Sequence, residues 1–243
     1  MATLVGILGV LAAAFVKGAV GFGFPTLATP ILALFMDVKA AVTILILPNL
    51  VMDAIQALRN PGLVATLRRH ATLYVGGIAG TFVGTALLRI IPDQMALLIL
   101  GVFVLAFAAI TAGGVSFRVS PRWEPVLSPP LGFFAGVIGG VTNVPGTPLA
   151  LYFYALGMDK STFVRSIAVS FIVYKLTQLV AVIAAGFMTA ERLGLSVAAT
   201  LVGLGAFYLG LAVQDRLSQR AFNQVVLWWL GALGLFLVYR GLA

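Results

Sequence analysis

Eight apolar runs, each long enough to be a membrane segment, dominate this 243-residue chain. They are Thr3–Met36, Ala40–Leu58, Thr72–Leu88, Gln94–Gly113, Leu127–Met158, Phe163–Phe187, Leu193–Val213 and Phe222–Tyr239. Crossing roughly 30 Å of hydrocarbon takes about 20 residues of helix. Lipid offers no partner for a backbone N–H or C=O, so spanning segments must be helices or closed barrels. The alternation over about ten residues that marks barrel strands is absent, which leaves helices.

Composition closes the soluble alternatives. Apolar residues make up 61% of the chain and charged ones 9%, against about 45–50% and 25% in soluble domains. Seven acids and fifteen bases cannot cover a globule, and the net charge of +8 is scattered over short loops rather than gathered into a phosphate-binding face. No nucleic-acid partner is expected. The chain has no Cys and one His, so disulfides, zinc centres and thiol catalysis are excluded and no cofactor is expected. No Ser-His-Asp set, paired carboxylate or Walker sequence appears, which argues against an enzyme or an ATPase. The start, Met1-Ala2-Thr3-Leu4, reads as part of the first membrane segment rather than as a removable signal.

The first and fifth runs are too long for one ordinary crossing, and each is interrupted by Gly and Pro. One contains Lys17-Gly18-Ala19-Val20-Gly21-Phe22-Gly23-Phe24-Pro25-Thr26. The other contains Gly136-Val137-Ile138-Gly139-Gly140-Val141-Thr142-Asn143-Val144-Pro145-Gly146-Thr147-Pro148. Gly permits positive φ and Pro suits a helix start, so each run is predicted to be two half-helices of about 15 and 12 residues joined inside the membrane.

The two halves also match. A shift of 118 carries Gly18 onto Gly136 and Gly21 onto Gly139, and a shift of 122 carries Leu27 onto Leu149, Met36-Asp37 onto Met158-Asp159 and Gln56 onto Gln178. This points to an internal duplication, with a first repeat over 1–115, a connector over 116–126 and a second repeat over 127–243. If the broken runs return to the side they entered, nine bases (Arg59, Arg68, Arg69, Arg118, Arg122, Lys160, Arg165, Arg216, Arg220) lie on one side and four (Lys39, Arg89, Arg192, Arg240) on the other. Single crossings would split them seven to six, with Arg192 beside Arg59. The positive-inside rule favours the first arrangement. The expected fold is therefore an all-α polytopic membrane protein of two inverted repeats, each a broken helix or re-entrant hairpin followed by three spanning helices. Counting each broken run once gives eight crossings, or ten if the hairpin arms span.

The paired breaks, together with Gly132-Phe133-Phe134-Ala135-Gly136 and Pro145-Gly146-Thr147-Pro148, resemble the TauE/SafE sulfite-exporter family, also called the toluene-sulfonate uptake permease family. The resemblance covers nearly the whole chain. It implies a multi-pass carrier of the bacterial inner membrane for sulfur-containing anions such as sulfite, sulfoacetate or other organosulfonates. The competing reading is a channel or a carrier for another small organic or inorganic anion. Expected partners are the anion, the lipid bilayer and, as an option, a second copy of the chain.

Chemistry inside the apolar runs is sparse and therefore informative. Half-helix N-termini present free N–H groups and a positive dipole end to an anion. Gly21, Gly23 and Thr26 lie at the first break, and Gly139, Thr142, Asn143 and Thr147 at the second. The plainer reading of these Gly and Pro residues is tight packing with a kink. Three charges are buried in apolar runs, where each costs about 2.5–3.5 kcal/mol at the helix centre. Lys17 offers positive charge to an anion, or else snorkels to an interface. No nearby carboxylate is expected at either break. Asp53 and Lys175 fall at equivalent positions of the two repeats and are expected to form an ion pair or a coupling site; Asp53 is also a candidate proton carrier. Asn49 and Asp53 are four apart, as are Tyr174 and Gln178, so each pair shares a helix face. Asn49, Tyr174 and Gln178 are candidate substrate ligands, with interhelical hydrogen bonding as the alternative. His70, beside Arg68 and Arg69, is expected at an interface, and Trp228 and Trp229 facing lipid or packing.

Overall fold

The computed structural model describes residues 2–33, 35–59, 61–88, 105, 118–120 and 122–242. Apart from Leu105, the fourth apolar run lies outside them, as does Arg89. The described residues contain only helices as regular elements. These are α1 (Ala2–Val20), α2 (Phe24–Leu32), α3 (Val38–Ile44), α4 (Ile46–Leu58), α5 (Leu63–Arg69), α6 (Ala71–Leu87), α7 (Glu124–Thr142), α8 (Gly146–Ala155), α9 (Lys160–Ala184), α10 (Ala190–Arg216) and α11 (Gln219–Leu242). Four helical stretches, Val38–Leu58, α7, α9 and α10, are long and apolar enough to cross a membrane.

Two compact units emerge, one of residues 1–68 and 164–217, the other of 69–163 and 218–243. Each draws helices from both sequence halves, so division by contact and division by repeat are different partitions of the chain.

In the first unit, α1 lies along α10 with its Gly18 pressed on the neighbouring backbone: a Cβ there would strike the Phe207 carbonyl and lie 2.9 Å from Gly210 Cα. The chain then breaks at Gly21 and Gly23, whose φ values of 94° and 99° are open chiefly to glycine. After the break α2 folds back along α1, since a Cβ added to Gly9 would lie 2.6 Å from Ile31 and one on Gly6 would lie 3.5 Å from Leu32. The first broken run is thus a hairpin. Its core seats Phe24 and Ala28 of α2 among Ala14, Leu45, Met52 and Phe207, all fully buried.

A kink separates α3 from α4 at Leu45. Pro48 has no N–H to give the Ile44 carbonyl, and Ser196 of α10 donates to that oxygen instead at 2.6 Å. The two ends of this unit sort their charges. Arg59 pairs with Asp215 at 2.6 Å, and Arg165 donates to the Pro61 carbonyl at 2.7 Å, at one end. Arg192 pairs with Asp37 at 3.2 Å, and Lys39 lies over the Phe187 ring at 5.6 Å, at the other. Arg192 therefore sits apart from Arg59, as the hairpin arrangement requires and single crossings do not.

The second unit is built on α6 against α7. Added Cβ atoms on Gly80 and Gly84 would strike the Phe133 and Val137 carbonyls, and one on Gly140 would lie 2.6 Å from the Thr85 nitrogen. Small residues every fourth position let the two backbones touch. The sequence reading placed Gly136–Thr142 in the interruption. They are helical, and their glycines serve this contact; the chain breaks only at Asn143–Pro145. The half-helices accordingly have 19 and 9 residues in the first run and 19 and 10 in the second, not about 15 and 12. Here too the second arm returns: the Tyr152 hydroxyl in α8 is 2.8 Å from Ser128 Oγ in α7, and Val119 N–H donates to the Ala155 carbonyl at 2.9 Å.

Candidate functional site

The polar residues expected to matter divide between the units: Lys17, Gly21, Gly23, Thr26, Asn49, Asp53, Tyr174, Lys175 and Gln178 in the first, Gly139, Thr142, Asn143 and Thr147 in the second. The first unit holds the charge. Lys17 stands in the last turn of α1, just before the break, and its side chain is fully buried. Snorkelling is excluded. Its ammonium lies 2.5 Å from Asp53 Oδ1 and 4.8 Å from the centre of the Phe171 ring.

Asp53 thus pairs with Lys17, not with Lys175 as its place in the repeat suggested. Repeat equivalence relates positions by symmetry and does not bring them into contact. What does is the docking of α4 on the end of α1, where Gln56 Nε2 donates to the Lys17 carbonyl at 3.2 Å. The same pairing corrects the expectation that no carboxylate lies near a break. Asn49 Nδ2 donates to Asp53 Oδ2 at 2.9 Å, so Asn49, Asp53 and Gln56 form one polar stripe on α4. A buried pair stripped of one partner leaves an uncompensated charge, which is far costlier than the pair is stabilising.

On α9, Lys175 donates to Gln178 Oε1 at 2.6 Å, both buried. Tyr174 is buried beside them in sequence. The first unit therefore buries two lysines against one aspartate, a formal charge of +1. Where α2 begins, Gly23 stands at the N-cap and no side chain caps the helix. Thr26 in its first turn is buried.

The second break carries neutral donors instead. Asn143 caps α7 at φ 67°, a left-handed conformation that Asn tolerates better than most residues. Thr142 bridges the turn, donating to the Ile138 carbonyl at 2.7 Å and accepting from the Val144 N–H at 3.2 Å. Thr147, in the first turn of α8, is buried with its hydroxyl unbonded. Gly139 packs against Pro145, 2.7 Å from where its Cβ would be. Its role in the fold is to seat the turn.

Sequence reasoning undervalued Gln56 and did not single out Phe171; the i, i+4, i+7 spacing of Asn49, Asp53 and Gln56 was the signal for the first. His70 lies just before α6, beside Arg69. That ring is buried, 5.0 Å from the Phe153 ring and 3.4 Å from the Glu124 carboxylate, which Arg69 grips with two bonds of 2.9 Å. Burial holds the imidazole well below its ordinary value, at about 4, so it is neutral near pH 7. Trp228 is 81% exposed, as a ring facing lipid would be.

No group of three or more His, Asp or Glu able to hold a metal occurs among the described residues. No curated protein and no solved structure matches the chain. The family model described as the sulfite exporter TauE/SafE, whose members are membrane transporters rather than enzymes, matches residues 5–237. A match over nearly the whole length, on an apolar all-helical fold, shows that the chain belongs to the TauE/SafE sulfite exporter family.

Proposed function

We propose that the chain is a secondary carrier of the bacterial inner membrane that moves small sulfur-containing anions, sulfite or an organosulfonate, one at a time past the first break. The observation that carries this reading is the burial of two lysines, Lys17 and Lys175, against one aspartate, Asp53, within one unit. An anion in hydrocarbon needs compensating charge, and this unit holds the lysines within its membrane helices. The uncapped start of α2 adds backbone donors and a positive dipole end. The end bearing Arg59, Arg165 and Arg216 faces the cytoplasm by the positive-inside rule.

The geometry also supports proton coupling. Lys17 is held by Asp53 at 2.5 Å. A proton on Asp53 cancels the carboxylate charge and leaves the ammonium to the anion, so one proton and one monovalent anion move together and no net charge crosses.

The test is flux in proteoliposomes. Sulfite or a sulfonate should accumulate when an inward proton gradient is imposed, without ATP. Asp53→Asn should uncouple transport from the gradient, and Lys17→Met should abolish it. Flux of amino acids or sugars in place of these anions would refute the proposal.

A further inference from the structure

Asn49 Oδ1 and Gln56 Oε1 are fully buried and accept no hydrogen bond. The assignment of oxygen and nitrogen in these amides is fixed by their surroundings. Turning Asn49 over would set its carbonyl against the Asp53 carboxylate, and turning Gln56 over would set its carbonyl against that of Lys17. The orphan atoms are therefore both acceptors, on the stripe that touches Lys17 and Asp53. Leaving a buried acceptor without a partner is costly.

Two chemistries satisfy orphan carbonyl oxygens beside a carboxylate: a cation, or a molecule with O–H or N–H groups. Charge decides between them. Lys17 and Lys175 already exceed Asp53 by one, so a further cation is opposed and a single negative charge is wanted. We infer that the site is built for a monovalent anion that carries its own hydrogen-bond donor, such as a hydroxyalkane sulfonate, and that Asn49 and Gln56 select for that donor.

This rests on the carrier reading, and it narrows it. A bare sulfonate has acceptors only and can answer the lysines but not the two amides. A zwitterionic aminosulfonate brings donors but no net charge. A hydroxysulfonate brings both.

The test is calorimetric titration of the full-length protein in detergent with 2-hydroxyethanesulfonate and with propane-1-sulfonate, in which a methyl replaces the hydroxyl. Both are monovalent, so only the donor differs. The hydroxy compound should bind about tenfold tighter or more, as expected when a site is shaped around a donor. Gln56→Met should bring the two affinities together mainly by weakening the hydroxy compound. Equal affinities in the unaltered protein would overturn this inference while leaving the sulfonate carrier standing. Binding of neither compound, nor of sulfite, would remove the carrier reading itself. Strict dependence on sodium, compared in choline buffer, would assign the two oxygens to a cation and overturn the inference.

Discussion

The ammonium of Lys17, at the end of α1, and the carboxylate of Asp53, midway along α4, meet at 2.5 Å with neither side chain exposed. They stand 36 residues apart in the chain. Lys17→Met should cost about 3–5 kcal/mol by stranding a buried carboxylate, and Asp53→Asn should cost less, because the amide keeps a polar partner for the ammonium. Lys17→Met with Asp53→Asn should recover much of the Lys17→Met loss. A thermal-unfolding cycle reads the coupling; strictly additive losses would show no direct pair.

Ser196→Ala should destabilise by about 1 kcal/mol, the usual net worth of one hydrogen bond, because it leaves the Ile44 carbonyl that Pro48 cannot serve. In a Pro48→Ala background the helix supplies its own N–H, and the same substitution should then cost little. Equal losses in both backgrounds would mean that Ser196 does not act through that carbonyl.

Gly80→Val should cost more than the 1–3 kcal/mol typical of overpacking, because its Cβ meets the Phe133 carbonyl and only backbone separation of α6 and α7 can relieve it. Gly194→Ala, with nothing within 4 Å of the added atom, should stay within about 0.5 kcal/mol of the parent. Melting curves of the two variants provide the comparison.

Protonation of His70 gives the fold an acid-sensitive element outside the apolar spans. Its value is lowered from 6.5 to about 4, first by burial and then by the Arg69 charge, with Glu124 opposing. The unfolded chain therefore binds more protons between those values. The stabilisation is complete above about pH 6.5 and is lost as pH falls toward 4. Melting temperature should decline over that window in the parent and decline less in His70→Phe. Identical pH profiles would remove His70 from the account.

Much of this was legible in the sequence, because lipid forces helices and makes each buried charge conspicuous. The apolar runs, the two breaks and the returning hairpin arms follow from block length, Gly-Pro placement and the count of bases. The helix ends did not. Gly136–Thr142 looks like an interruption because a lone helix gains nothing from glycine, and only the opposed Gly80 and Gly84 of α6 explain it. Asp53 was visible as costly, but its partner was not, since the docking of α4 on α1 is a tertiary fact that repeat arithmetic does not encode. The burial of the His70 ring was not legible, because the Phe153 ring against it lies far along the chain.

The central claim is that the Lys17 ammonium, paired with Asp53 in this structure, is the group a sulfur-containing anion binds. Calorimetric titration of sulfite or a monovalent sulfonate into folded Lys17→Met protein tests it most directly, with Lys39→Met, whose lysine lies over Phe187 at the end of the unit, as the control. The account predicts at least a tenfold loss of affinity for Lys17→Met, about 1.4 kcal/mol or more, and no change for Lys39→Met. Equal affinity in Lys17→Met and the parent would contradict it.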